Sequence, residues 1–399
     1  MSWFIKAGRG HKADYVLLAV VGALLAIGMI MMYSISPVLS YKLYGSTSRN
    51  YYFFGQLVNT FVALVMMWLA TRLYYPNWKK YSVFLLGLTV FTLILVTLPG
   101  LSFTKNGATR WIRLGPASFQ PAELLKLTAV IYLAAWFESR RQQMANWREV
   151  LMPFALMLAA ASFVIVVIQR DMGTMMVLAA AVLGLYFVAG APLKQYAALI
   201  SATLGLAVLA VIAFPHRLER LTVFLDPSKD PTGIGYHINQ ALIAIGSGGF
   251  LGRGLGHSYQ IYGYLPEAAN DSIFAVIGEE FGFIGALLMI VLFCVVVQRG
   301  LRIARNAPDT FSRLLALGIT MWLGFQALIN IAAMLSLVPL TGIPLPFISY
   351  GGSSLMLSLI GVGILLNISK FTNLEAAHAD SSQWRRVRRP HLADSGNAR

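Results

Sequence analysis

Cysteine is nearly absent. Cys294 is the only one in 399 residues, which excludes an intrachain disulfide and a cysteine-built metal site. Set inside an apolar run, it reads as a small packing residue. Charge is scarce as well: 12% of residues are charged, with 16 Asp and Glu against 31 Lys and Arg. A soluble domain carries about 25% charged residues; here 57% are hydrophobic. No repeat of fixed period is visible, and no pair of Pro/Gly-broken spans sits in matching halves. The inverted-repeat signature of secondary transporters is therefore not seen.

What is present is a series of long apolar runs. They recur at about 17–25 residues, the length that crosses roughly 30 Å of hydrocarbon. They are continuous rather than alternating, so they read as helices and not as barrel strands. The expected fold class is an all-α polytopic membrane protein with ten transmembrane helices, at 14–36, 51–71, 81–98, 119–137, 150–168, 174–191, 196–214, 272–298, 314–338 and 352–368. The basic N-terminal stretch precedes a run without a small-residue cleavage site, so it is expected to remain as the first span.

Ten spans put both termini on one side. Segments on that side, including residues 1–13 and the tail from 369, hold 20 Lys/Arg; the opposite side holds 10. Basic enrichment marks the cytoplasm, so both termini are expected there. The organisation read from this is a short N-terminus (1–13), a ten-span domain (14–368) with a long outer loop (215–271) between spans 7 and 8, and a basic tail (369–399). The tail is polar enough to be disordered. It suits anionic lipid, a cytoplasmic partner, or solvent alone. Short basic stretches without a folded domain to present them argue against nucleic acid.

The outer connections are the unusual ones. Against the topology rule they hold Lys105, Arg110, Arg113, Arg217, Arg220, Lys229 and Arg253, which suggests an anion on that side. In "NGATRWIRLGPASFQPAELLKL", Asn106-Gly107 marks a turn and Pro121 with Glu123 marks a helix start. Glu123 and Lys126 share a face at i,i+3. They read either as a plain pair with a snorkelling lysine or as a cation facing a cavity for an anionic head group. Gln169, Arg170 and Asp171 form a tight hairpin, with Asp171 able to orient a basic neighbour. "YHINQALIAIG" places Ile238, Leu242 and Ile245 on one face of a helix too short to span, so interfacial or re-entrant. "GSGGFLGRGLG" follows no strand and lacks the lysine of a phosphate loop, so its glycines read as irregular backbone.

"YLPEAANDSIFAVIGEEFG" carries Glu267, Asp271, Glu279 and Glu280. Asp271 reads either as a cap at a helix start or as a base at the mouth of the span. Glu279 lies about 80° round and 12 Å deeper, so it and Glu280 suit buried partners. In "PLPFISYGGSSL", prolines forbid continuous helix, and Gly351 and Gly352 begin the next span with free N–H groups suited to an anion.

These motifs, in this order, with "YHINQALIAIG" and "GSGGFLGRGLG" taken as one continuous stretch, resemble the SEDS family (shape, elongation, division and sporulation), the FtsW/RodA group, over residues 14–368. The glycines run straight into "HSYQIYGYLPE", which resembles the cell-division branch more than the elongation branch. The resemblance implies a peptidoglycan glycosyltransferase in the cytoplasmic (inner) membrane. It would polymerise lipid II at the outer face, with inversion, beside a class B penicillin-binding transpeptidase and other division proteins. The family's essential aspartate aligns with Asp271, although "AANDSIF" replaces the usual neighbours. Asp271 is then the expected base. Arg110, Glu123, Lys126, Arg217, Glu267, Ser349, Gly351 and Gly352 would bind substrate, while Gln169, Asp171, Glu279 and Glu280 would support the site. No metal ligands are expected, with a divalent cation (Mg or Mn) left open. A lipid II flippase and a non-catalytic division scaffold are the alternatives.

Overall fold

The computed structural model describes residues 12–44, 50–98, 102–105, 108–114 and 117–372. Its order is α1 (Tyr15–Tyr44), α2 (Tyr51–Arg72), α3 (Pro76–Leu95), strands β1 (Ser102–Lys105), β2 (Ala108–Leu114) and β3 (Ala117–Phe119), then α4 (Pro121–Ser139). There follow α5 (Trp147–Ile168), α6 (Met172–Val188), α7 (Leu193–Ala213), α8 (Pro215–Leu225), α9 (Ile234–Ser247), α10 (Ile273–Arg305), α11 (Thr310–Met334) and α12 (Gly352–Ser369). Among the described residues, eight helices are long and apolar enough to cross a membrane. The other two expected spans also fall on helices. One is α6, with 17 residues. The other is α4, which carries Glu123, Lys126 and Glu138.

Burial orders the bundle from centre to rim. The apolar window of α12 is 83% buried and that of α11 is 72%, whereas that of α7 is 6%. Lipid tails are as apolar as leucine, so helices associate by close packing rather than by escape from water. Accordingly α12 meets α2 through Gly363, where a Cβ would come within 2.5 Å of the Met67 carbonyl and 2.8 Å of Ala70. At one end of the bundle Asp14 accepts from Arg299 at 2.7–3.1 Å and its N–H donates to Ser369. The site described below gathers at the other end.

Several expectations change. The connection 99–118, read as a loop with one turn, pairs as the antiparallel sheet β1-β2-β3. Its short Thr/Trp/Ile/Phe alternations are strand-like, but apolar content on either side masked them. Asn106 and Gly107 lie outside the described residues, as do residues 1–11 and 373–399. The outer loop 215–271 contains α8, which starts at Pro215 where a proline costs no hydrogen bond. Helix α9 exists, but its buried face is Gly235, Ile238, Ala241 and Ala244, with Leu242 exposed. Small residues win because α10 approaches closely. Cys294 is exposed on the outside of α10 rather than packed.

Helix α10 is broken at Gly282, whose φ of +64° lies in the left-handed region. That region is open to glycine at no steric penalty. The break frees carbonyls and N–H groups, and the glycine-rich loop takes them up. Arg253 and Gly254 donate to the Glu279 and Glu280 carbonyls, and Phe283 and Ile284 donate to Gly249 and Phe250. Gly248 seats this loop: a Cβ there would lie 1.9 Å from the Gly278 carbonyl. Gly248→Ala is therefore expected to cost about 1–3 kcal/mol of stability by overpacking, read as a lower unfolding midpoint in micelles.

Candidate functional site

Asp271 sits at the end of a turn that three distant elements hold in place. Asn330 on α11 donates to the Asp271 carbonyl at 2.8 Å and to the Ile343 carbonyl at 2.7 Å. Ser349 donates to Asn270 at 2.5 Å and accepts from Leu345 at 2.8 Å, and the Tyr350 N–H reaches Ala269 at 2.8 Å. Gln56 on α2 bonds Ser349 and Gly351. The Asp271 side chain is 8% exposed, and the space a side chain on Gly342 would fill lies 3.8 Å from its Oδ2. Asp271 is not the helix cap: α10 starts after Ser272, which makes no side-chain cap bond. The Ser272 hydroxyl instead donates to Pro266 at 2.9 Å.

His237 on α9 completes this turn, with Nε2 2.7 Å from Ser272 Oγ. The Ser272 proton is already given to Pro266, so Nε2 carries the hydrogen of this bond. Burial lowers its pKa from 6.5 to about 4; Glu267 opposes the shift and Arg220 adds to it. A base with a depressed folded-state pKa stabilises the fold fully above pH 6.5, and that stability is lost as pH falls toward 4. Amide exchange of residues 226–272 is expected to accelerate over this window. His237→Gln, which keeps an N–H donor, should flatten that dependence.

The cations lie beside this carboxylate. Arg220 on α8 is exposed to solvent. Burial and then Arg110 push its guanidinium below the usual value, while Asp271 and Asp171 pull it back up. Arg220 is thus within electrostatic reach of Arg110, Asp271 and Asp171. Among the described residues, Arg220 makes a single long hydrogen bond, 3.5 Å to the Leu340 carbonyl. Arg110 is more committed. It donates to the Gln169 and Arg170 carbonyls at 3.0 and 2.5 Å and faces Asp171 at 3.5 Å. Asp171 caps α6, accepting the Thr174 N–H and hydroxyl at 3.0 Å, and also accepts from Gln120.

Other candidates are placed away from the mouth. Arg217 is 4% exposed and donates to the Ala210 and Val166 carbonyls. It closes the ends of α5 and α7 rather than facing Asp271. Burial, Arg170 and Arg220 all lower its pKa. Lys126 is fully enclosed and does not snorkel. Its Nζ lies 2.6 Å from Glu123 and 2.7 Å from Gln326, with the Trp322 ring 5.6 Å away. Gln326 and Asn330 are one turn apart, so a polar stripe on α11 joins this pair to the Asp271 turn. Gln326 also donates to Pro344.

Glu279 accepts from the Ser258 hydroxyl at 2.5 Å and from the Tyr259 and Gln260 N–H groups. Glu280 accepts from Ser34 and the Gly256 N–H. Both therefore tie the glycine loop to the bundle. Glu267 has a positive φ of 49° and accepts from Asn270. Gly352 opens α12 without a side-chain cap. Ser353 links instead to Gln120 and Ser118, and Ser354 to Gln326. Gln169 is buried with neither side-chain polar atom bonded. Among the described residues no group of three or more His, Cys, Asp or Glu could hold a metal ion.

Sequence reasoning placed Arg220 among the outer cations but left it out of the binding set, and it did not single out His237 or Asn330. One signal was available: Arg217 and Arg220 are i,i+3 on a proline-initiated helix.

The bundle and this cluster define a polytopic membrane protein with a cluster of charged groups at one end. The chain belongs to the FtsW, RodA and SpoVE family of cell cycle proteins, whose model matches residues 15–374. It is 39% identical to "Stage V sporulation protein E" of Bacillus subtilis over 90% of this chain and 97% of that one. It is 40% identical to the "Probable peptidoglycan glycosyltransferase FtsW" of Trichlorobacter lovleyi, covering 91% and 95%. Among solved structures it resembles a chain in a "peptidoglycan synthase complex", with a TM-score of 0.73, 28% identity and coverage of 91% and 99%. It also resembles the rod shape determining protein RodA of Thermus thermophilus, with a TM-score of 0.66, 26% identity and coverage of 90% and 98%.

Proposed function

We propose that this chain is a peptidoglycan glycosyltransferase that polymerises lipid II at the outer face of the cytoplasmic membrane during cell division. The observation that carries the reading is Asp271: a carboxylate on a turn fixed by Asn330, Ser349 and His237, beside the solvent-reached guanidinium of Arg220. In this reading Asp271 accepts the proton of an acceptor sugar hydroxyl as it attacks the anomeric carbon. The bond from that carbon to the pyrophosphate oxygen breaks with inversion. Negative charge gathers on the leaving pyrophosphate, and Arg220 with Arg110 stabilises it. Arg217, Lys126 and Glu123 support the frame: Arg217 donates to two backbone carbonyls, and Lys126 is shared between Glu123 and Gln326. Ser349, Gly351 and Gly352 hold the loop over the turn.

Ten crossings with cytoplasmic termini are supported by the basic-residue asymmetry. A class B penicillin-binding transpeptidase as partner is supported by the likeness to a chain from a synthase complex. The test is the purified full chain in nanodiscs with labelled lipid II and that transpeptidase. Glycan strands are expected. Movement of lipid II across the bilayer without polymer would overturn the reading in favour of a carrier.

A further inference from the structure

At the end of the bundle opposite Asp271, α2 and α12 finish side by side on a pair of cations. Arg72 closes α2 and is exposed, its guanidinium 5.1 Å from the centre of the Trp68 ring. The Lys370 ammonium donates to the Thr71 carbonyl at 3.0 Å, and Asn367 on α12 donates to the same carbonyl at 2.9 Å. Phe371 packs on the Tyr74 and Tyr75 rings, with centroids 5.3 and 5.6 Å apart. The end of α12 is thereby fixed against the end of α2.

Among the described residues no carboxylate pairs with either cation. The acids at this end are committed elsewhere. Asp14 is held by Arg299 and Glu138 by Lys79, while Asp309 accepts from the Tyr75 hydroxyl and from the Ser312 N–H. Burial lowers the Lys370 pKa, and Arg72 lowers it further. Two like charges within reach of one another, with no acid between them, are relieved by a bound anion.

The surface that leads up to Arg72 has the dimensions of a lipid. Phe61, Val65, Trp68 and Arg72 recur at i, i+4, i+7 and i+11, so they share one face of α2. The three apolar members are exposed. Ala63, Met67 and Ala70 lie on the opposite face and are buried, which leaves the Phe61 face to hydrocarbon. From Phe61 to Arg72 the helix rises about 16 Å, close to half of the roughly 30 Å hydrocarbon core. The stripe therefore covers one leaflet and ends in positive charge at its rim. Basic pockets between helix ends on the cytoplasmic side suit anionic head groups; a zwitterionic lipid carries its own ammonium and gains less from the pair.

We infer that Arg72, Trp68 and Lys370 form a binding site for an anionic glycerophospholipid of the cytoplasmic leaflet, its phosphate at the two cations and an acyl chain along Phe61 and Val65. The leaflet follows from the basic-residue asymmetry.

The test is native mass spectrometry of the full chain released from nanodiscs of equal phosphatidylglycerol and phosphatidylcholine. The wild type should retain phosphatidylglycerol preferentially. Arg72→Gln combined with Lys370→Gln is expected to reduce that preference at least fivefold. Arg72→Gln alone, a change at an exposed position that leaves the fold standing, should reduce it at least twofold. Phe61→Ala with Val65→Ala removes no charge and should also lower retention at least twofold. Lys80→Gln with Arg148→Gln takes the same charge from two other cations that sit over aromatic rings and should leave the preference at the wild-type value. An unchanged preference in the Arg72 and Lys370 variants, or an equal fall in the Lys80 and Arg148 control, would overturn the site in favour of charge spread over the whole face. Displacement of the lipid by inorganic phosphate, with no effect of the Phe61 and Val65 changes, would overturn the lipid in favour of a free anion.

Discussion

Asp271→Asn is expected to reduce glycan synthesis by on the order of 100- to 10,000-fold, the range for loss of a positioned general base. The substitution is nearly isosteric, and the Asn330 bond goes to the backbone carbonyl of residue 271, so the turn should survive it. Purified variant and wild type should therefore share an unfolding midpoint within a few degrees while differing in strand yield from lipid II. The contrast matters because His237, Ser349 and Asn330 fix the position of this residue independently of its side chain. Equal yields would remove Asp271 from the chemistry and leave the arginines as a binding surface without a base.

Lys126→Met should be the most destabilising single change in the bundle. Lys126 and Glu123 are both 1% exposed, and one Glu123 oxygen already lacks a hydrogen-bond partner. Removing the lysine strands a buried carboxylate beside Gln326, and breaking such a pair costs about 3–5 kcal/mol. The double variant Glu123→Gln with Lys126→Met removes both charges and should recover much of that loss. Unfolding midpoints of the wild type, each single variant and the double complete the cycle. A Lys126→Met protein as stable as wild type but unable to polymerise lipid II would assign Lys126 to substrate, not to the frame.

The two residues illustrate how differently a sequence exposes its contents. The Glu123–Lys126 pairing was legible, because i,i+3 spacing puts both on one helix face whatever surrounds them. Their enclosure was not, because Gln326 and Trp322 come from a helix roughly half the chain away. Asp271 stood out as an acid at the mouth of an apolar run, but its helix start was placed one residue early, and Ser272 turns its hydroxyl back to Pro266 instead of capping. The outer cations were all visible as types. Which of them meets solvent within electrostatic reach of the carboxylate depended on where α8 lands: three residues separate Arg217, which closes helix ends, from the exposed Arg220.

By itself the sequence determined the membrane class, the helical spans, the cation-rich end and the carboxylate candidates, because hydrophobic run length and residue type are local properties. Tertiary structure alone decided which polar groups pair with one another and which meet solvent. In a bundle whose helices are uniformly apolar, the period of the sequence does not report which face turns inward; close contacts between small residues and a few long-range hydrogen bonds settle that.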